Sequence, residues 1–466
     1  METAYRAVME RVFYIQRDGQ YVVPPKPASQ LYFDTNMSKF TELMELTFRY
    51  LPIIDEDNFL RTYVGKQLTV YRNAMESLKT RSISKRDAKV ACFVKVEKTN
   101  FTDKQDPAPR LISPRSPRYH VSIGPTIKTI EKEIYKRIGK VFGSPTVFKG
   151  MNASRRGKIL KEKWDRFSQP VAIGLDASRF DQHISAIALN WEHRFYVKYN
   201  KDKQFGWLLK QQLQNRCYYY GPDGNMSYTT DGTRMSGDMN TSLGNVLIMC
   251  GLVYSYMHYC GVKKFELAND GDDCVLIVEA KDRKKTEDSL VEWFETMGFT
   301  MKMERHVDVF EEIEFCQSHP VWTPQGYIMV LDPRAGLAKQ CVSIKPLDNE
   351  KLMKRWLAAV GEGGIALCGG IPIWQEFYKH CYDSAEGMKP LEGDPTQDTG
   401  LRRLGIGMKR QYSQIHPATR ASFYYAFKIS PTAQLSREAS IRTTGKTTYT
   451  QGYVDKPFVE SVGTQY

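Results

Sequence analysis

The residues best suited to chemistry lie in Phe265-Glu-Leu-Ala-Asn-Asp-Gly-Asp-Asp-Cys-Val-Leu-Ile-Val-Glu279. Asp270-Gly271 signals a hairpin, because glycine takes the positive φ that a tight primed turn demands. Residues 274–278 form a short, mostly β-branched apolar run, the pattern of a strand buried on both faces. Asp272 and Asp273 are therefore expected at the tip of a hairpin whose arms lie in the interior. Adjacent carboxylates repel unless a cation or proton sits between them. Hard oxygen ligands on a rigid turn suit Mg²⁺ or Mn²⁺. Val171-Ala-Ile-Gly-Leu-Asp176 reads as a second apolar strand ending in a carboxylate, and Asp181 follows one turn later. A strand-end aspartate with a hairpin-tip pair is the acidic trio that a two-metal phosphoryl site needs.

Cationic groups precede these carboxylates. Phe93-Val-Lys-Val-Glu-Lys-Thr-Asn100 has a lysine-rich strand pattern, and Arg110-Leu-Ile-Ser-Pro-Arg-Ser-Pro-Arg118 is a proline-stiffened segment with three arginines. Guanidinium forks at preset positions suit phosphate oxygens, which accept bidentate hydrogen bonds. Between Asp181 and the hairpin lies Asp231-Gly-Thr-Arg-Met-Ser-Gly237-Asp-Met-Asn-Thr-Ser-Leu-Gly-Asn245. Its glycines imply a loop able to approach a ligand closely. Asp238, Thr241, Ser242 and Asn245 recur at i, i+3, i+4 and i+7, a polar stripe on a helix that is otherwise apolar. Capping would account for Ser236 or Asp238 but not for Asn245.

The elements that must hold these groups are mixed. Ile127, Ile130, Ile134, Ile138 and Val141 mark an amphipathic helix, and Ile184, Ile187, Ala188, Trp191 and Phe195 mark another. The most apolar window, residues 246–262, is about long enough to span a membrane. Asn245, Ser255 and His258 lie in or beside it, so a buried core helix is expected. Leu290, Phe294 and Met297 predict a helix stopped by Gly298, followed by an alternating strand at residues 299–304 that carries Lys302. Residues 313–318 and 326–331 read as a hairpin. From about residue 346 the pattern turns helical, and the last thirty or so residues read as a polar tail.

The chain of 466 residues can build two or three packed subdomains. Its 66 Lys and Arg against 53 Asp and Glu leave a net charge of +13, which favours a polyanion partner, nucleic acid before membrane. Nine cysteines without C-x-x-C spacing argue for a reducing compartment and against a zinc module. No apolar signal segment follows Met1.

The order Lys95-x-Glu97-Lys98 with Arg110, Asp176-x₄-Asp181, Ser236-Gly-x₃-Thr-x₃-Asn245, Gly271-Asp-Asp273 and Lys302 resembles the F, A, B, C and D motifs of viral RNA-dependent RNA polymerases. The strings DASRFDQH, GTRMSGDMNTSLGN and PAPRLISPRSPRY look like plant tombusvirus-type replicases, carmovirus-like members included. The likeness runs from about residue 90 to 430. It implies an α+β right hand of fingers, palm and thumb, with an antiparallel palm sheet carrying the carboxylates and a mostly helical thumb. On this chain the fingers would take residues 1–170 and 187–230, the palm 171–186 and 231–345, and the thumb and tail 346–466.

The same resemblance implies template-directed RNA synthesis from ribonucleoside triphosphates. Asp176 and Asp272 would bridge two Mg²⁺ ions, for which Mn²⁺ can substitute, with Asp273 as an auxiliary ligand. Lys95, Lys98, Arg110 and Arg115 would clamp the triphosphate, and Lys302 would protonate pyrophosphate. Asp181 and Asn245, held by Ser236 and Thr241, would recognise the 2′-hydroxyl. Partners would be template and product RNA, nucleotides, other replicase components and host factors, with no transmembrane segment in this chain. The setting would be host cytoplasm, with recruitment to membrane-associated replication complexes through partners or a missing N-terminal region. Family replicases commonly carry membrane anchors ahead of the polymerase core, near which this chain begins; whether it is a fragment stays open. The tail after about residue 436, with Tyr449, Tyr453 and Tyr466, is a candidate element for propping the first nucleotide during initiation. Two rival readings differ in chemistry. A Mg²⁺ nuclease would not require the Thr241–Asn245 stripe or the clamp, and a basic RNA-packaging protein would have no use for carboxylates at strand ends.

Overall fold

A computed structural model describes residues 1–98, 105–340, 342–344, 347–392 and 400–449. The chain divides into two compact units. The first comprises Met1–Lys95, Ala108–Lys149 and Ile173–Arg305; the second comprises Val96–Pro107, Gly150–Ala172 and His306–Tyr466. The strands in chain order are β1 (Ile15–Arg17), β2 (Gln20–Val22), β3 (Val90–Val94), β4 (Leu111–Ile112), β5 (Pro170–Ala177) and β6 (Gln214–Gly221). They continue with β7 (Gly224–Asp231), β8 (Phe265–Asp270), β9 (Asp273–Glu279), β10 (Met301–Met303), β11 (Ser318–Val321) and β12 (Ile328–Leu331).

Two four-stranded sheets organise the first unit, in the orders β10-β5-β9-β8 and β4-β3-β6-β7. In the former, β8 with β9 and β5 with β10 are antiparallel. Residues 274–277 of β9 are buried in succession, as a run of apolar side chains on both faces requires. The helix Thr241–Tyr259 is apolar nearly all round and is buried along most of its length, so it runs through the core rather than over it. Helix Pro117–Phe142 begins at Ser116, whose hydroxyl accepts from the Tyr119 N–H, with Pro117 in its first turn. Its Ile123, Ile127, Ile130, Ile134 and Ile138 fall at helical spacing and join one core with Met37, Phe40, Trp191, Leu247, Tyr256, Leu276 and Phe294. No helix among the described residues is long and apolar enough to cross a membrane.

The second unit holds the hairpin β11–β12 and helices Ala153–Trp164, Glu350–Cys368, Trp374–Ser384, Pro417–Phe427 and Pro431–Thr443. Two expectations change here. The strand read at residues 313–318 begins only at Ser318, because Cys316 and Gln317 both adopt positive φ (54° and 60°) and form a tight turn bridged by Phe315 and Ser318. The polar tail begins later than expected. Ser430 caps a helix with Pro431 in its first turn, and Glu438 is buried on Arg420, with both nitrogen–oxygen contacts at 2.9 Å. Tyr449 donates to the Asp348 carbonyl at 2.9 Å, whereas Tyr453 and Tyr466 lie outside the described residues.

Candidate active site

The β8–β9 turn is built as its residues dictate. Asp270 pairs with Asp273, and Gly271 between them has φ +94°, a conformation that side-chain-bearing residues rarely adopt. The buried Asn269 braces the corner: its amide nitrogen donates to the Gly271 carbonyl at 2.7 Å, and its oxygen accepts from the Gly271 N–H at 3.1 Å. Asp270 points into the protein and is neutralised by Lys149 Nζ at 2.7 Å. This leaves Asp272 and Asp273 at the exposed tip. Sequence reading missed Asn269 and Lys149 as supports. Lys149 lies about 120 residues away from its partner, and no local pattern announces such a pair.

Asp176 is the penultimate residue of β5, the strand beside β9, and its side chain is exposed. Antiparallel register sets Lys302 of the edge strand β10 directly opposite Asp176, so both side chains stand on one face of the sheet. The Asp272 carboxyl is held above its usual range. Burial is the main cause and the Asp176 charge adds to it, while a backbone N–H, Lys149 and Arg110 pull the other way. Water reaches the edge of Asp272 although protein crowds the rest of it, as at the wall of an open cleft. Asp176 and Asp272 thus form a mutually repelling pair of hard oxygen donors, a donor set that suits a divalent cation. Among the described residues no three His, Cys, Asp or Glu side chains are drawn together as a finished metal site, so Asp273 does not close a triad with them.

A cavity of about 230 Å³ in the first unit is lined by Lys95, Arg110, Asp181, Ser236 and Asp272 among others. Five of the sequence-predicted residues therefore share one space. Arg11, Arg179 and Arg234 also line it and were not anticipated. Arg179 has φ +49°, and its guanidinium bonds to Glu10 and to the Tyr14 carbonyl, so it ties the N-terminal segment to the turn between Asp176 and Asp181.

Behind the cavity runs a buried polar chain. Glu192, fully buried in helix Ala186–Val197, pairs with Arg234. Burial is the largest single influence and pushes the Glu192 carboxyl up, but the Arg234 charge, the hydrogen bonds from Arg234 and Tyr196 and the nearby His193 together outweigh it and hold the group below the ordinary range. Arg234 Nε donates to Asn245 Oδ1 at 3.1 Å, and Asn245 Nδ2 donates to Asp181 Oδ1 at 2.7 Å. Because arginine can only donate, it fixes which end of the amide faces Asp181. Burial raises the Asp181 carboxyl, and the Asn245 hydrogen bond and the Arg234 charge offset only part of that rise. Gly244 sits where the Arg234–Glu192 pair crosses the helix; a Cβ there would overlap both side chains.

Other expectations are corrected. Arg115 does not reach the cavity: its buried guanidinium pairs with Asp238 at 2.7 Å and donates to Asn215 and to the Ala88 carbonyl. Helix Thr241–Tyr259 starts after Asp238, so the polar stripe is broken at its first member. Thr241 donates to the Met235 carbonyl at 2.8 Å, and Ser236 donates to Leu111 of β4 at 3.0 Å; neither bond holds Asn245 or Asp181. Lys98 belongs to the second unit, where it donates to the Lys339 carbonyl at 2.7 Å.

Residues 1–447 match the family described as "Viral RNA dependent RNA polymerase". The RNA-directed RNA polymerase of Tobacco necrosis virus (strain A) is 43% identical over 435 residues, 93% of this chain and 60% of that protein. That of Oat chlorotic stunt virus (isolate United Kingdom) is 40% identical over 459 residues, 94% and 60% of the two chains. That of Tomato bushy stunt virus (strain Cherry) is 41% identical over 436 residues, 93% and 52%. The chain thus spans between about half and three-fifths of the length of these relatives. With five motifs in the expected order, and carboxylates and cations gathered at one cavity, the chain belongs to the family of viral RNA-dependent RNA polymerases.

Proposed function

We propose that this chain copies an RNA template into RNA, joining ribonucleoside triphosphates with release of pyrophosphate in viral genome replication and transcription. The observation that carries the reading is Asp176 at the end of β5 beside the β8–β9 turn that bears Asp272, with Asp272 lining the cavity that also holds Lys95 and Arg110. Arg110 and Lys95 bind the triphosphate oxygens and orient the α-phosphorus. Asp181 accepts from the ribose 2′-hydroxyl, and Asn245 positions it without entering the cavity lining. Lys302, on the same sheet face as Asp176, donates a proton to the departing pyrophosphate. Asp176 and Asp272 would hold divalent cations, Mg²⁺ with Mn²⁺ as substitute, and Asp273, which does not close a triad with them, would serve only as an auxiliary ligand. Bound there, such ions lower the pKa of the attacking 3′-hydroxyl and offset charge on the leaving group.

On this reading the sheet β10-β5-β9-β8 is the palm of a right hand. Residues 1–170 and 187–230 supply fingers, and the chain from 346 supplies the thumb. Other replicase components and host factors recruit it to membrane-associated complexes in the host cytoplasm. The test is template-directed incorporation of labelled nucleotide, with and without primer, in Mg²⁺ and in Mn²⁺. Wild-type protein should extend RNA. Asp272→Asn should lose about 10²-fold or more in rate, equivalent to about 3 kcal/mol of transition-state stabilisation, while still binding RNA. Near-normal incorporation by the variant would refute the assignment.

A further inference from the structure

The sheet β4-β3-β6-β7 has one face in the core and one in water. Val90, Cys92 and Cys217 point inward, where they pack with Ala7, Val8, Leu111 and Met235. Alternation puts Arg216, Tyr218 and Tyr220 of β6 on the opposite face, and the parallel register Ala91↔Tyr218 puts Phe93 of β3 there too. Tyr220 is 70% exposed and Phe93 40%. Their neighbours across the ladder on β7 are small and polar: Ser227 faces Tyr218 and Asn225 faces Tyr220. Met226 and Tyr228 of that strand turn to the core side, so neither covers the rings.

The two tyrosine rings are nearly parallel, 6° between planes, with centroids 6.5 Å apart. That spacing follows from residues two apart on one strand face. It is about twice the ~3.4 Å rise between stacked bases, the centroid spacing of two rings with one base between them. Lys89 Nζ lies 4.9 Å from the Tyr218 centroid, and the register places Lys89 toward Arg216, on the side away from Tyr220. A strip of aromatic faces with cations at its edge is what a flexible polyanion with planar bases requires. Binding a protein partner or a lipid surface does not call for rings held parallel at base spacing, whereas a planar base does.

We propose that this sheet face is a docking surface for single-stranded RNA, outside the catalytic cavity, with one base inserted between Tyr218 and Tyr220 and its phosphates beside Lys89 and Arg216. The choice of RNA as the strand rests on the function proposed above; the stacking geometry does not. The experiment uses the full chain and a fluorescently labelled, unstructured RNA oligonucleotide of about 20 nucleotides, with affinity read by anisotropy at fixed salt. A blunt RNA duplex serves as control. Tyr218→Ala/Tyr220→Ala should weaken single-strand binding on the order of 10-fold, with duplex binding and thermal stability unchanged. Tyr218→Phe/Tyr220→Phe should retain wild-type affinity, because the ring and not the hydroxyl stacks. Unchanged single-strand affinity in the alanine pair would overturn the proposal. So would an equal loss on the duplex, or loss of a self-associated form with RNA affinity intact, which would assign the face to a second copy. A chain that fails to incorporate nucleotides yet binds single strands through these tyrosines would sink the polymerase reading and leave this one standing.

Discussion

Replacing Asn245 by alanine should erase much of the preference for ribonucleotides while leaving the fold in place. Asn245 joins a fixed cation to a movable carboxylate: it accepts from Arg234 at 3.1 Å and donates to Asp181 at 2.7 Å. Hydrogen bonds to charged groups contribute about 1.5–3 kcal/mol. Without the amide, the Asp181 carboxyl loses its main hydrogen-bond donor and turns away from the orientation that a 2′-hydroxyl needs. A site built to hydrogen-bond a hydroxyl rejects the analogue lacking it only while its own groups are fixed. If half of that interaction energy reaches discrimination, about 0.8–1.5 kcal/mol, the ratio of kcat/KM for ATP over dATP falls roughly 4- to 12-fold. Arg234 Nε is left without its acceptor, so stability falls by about 1–3 kcal/mol. The assay compares ATP and dATP incorporation on one primed oligouridylate template, with urea unfolding run in parallel. Natively folded variant with an unchanged ratio would refute the reasoning. So would an equal loss for both nucleotides, since Asn245 would then act only as a structural support.

Gly244→Ala should gain up to about 1 kcal/mol in helix propensity yet destabilise the protein by about 1–3 kcal/mol, because the new methyl displaces the Arg234–Glu192 pair; denaturant midpoints measure it. Arg115→Met should cost about 3–5 kcal/mol of stability by stranding Asp238, with little change in nucleotide KM, whereas Arg110→Ala should raise KM at near-native stability. Reversed outcomes would restore Arg115 to the triphosphate. In EDTA, the stability that Asp272 contributes is full below the ordinary carboxylate pKa and is lost as pH rises through its raised folded value. Asp272→Asn should therefore gain on wild type in melting temperature as pH rises above the ordinary carboxylate pKa, with the gain levelling off once pH passes the raised folded value, and a pH-independent difference would contradict the shift. Lys302→Leu should lower kcat with little change in nucleotide KM; an unchanged kcat would make Lys302 an ordinary edge-strand lysine.

What the sequence disclosed, and what it hid, divides along a physical line. The Gly271 turn, the apolar runs of β5 and β9, and the isoleucine stripe of Pro117–Phe142 are written in near-neighbour spacing. So is the placing of Asp176 and Asp272 at strand ends, where side chains meet a cleft. Arg115 was misjudged because its partner Asp238 lies 123 positions away, and a proline-stiffened arginine looks the same whether it meets a phosphate or a buried carboxylate. Glu192 and Lys149 escaped notice for the same reason: a charge within a helix or loop reads as solvated until the fold reveals its mate. Arg179 gave one local hint, its place in the short turn between two aspartates, but its tie to Glu10 is set by tertiary packing.

The chain Glu192–Arg234–Asn245–Asp181 has a bearing on how such an enzyme can change. If Asp181 selects the sugar as proposed, that selection is welded to a fully enclosed ion pair at the other end, so a lineage drifting toward altered substrates through Arg234 or Glu192 would shed folding stability with the same step. Asp181 and Arg234 both border the cavity, but only Asp181 stands outside the enclosed ion pair and its amide link, so changes of specificity should begin there, while Glu192, Arg234 and Asn245 change together or not at all.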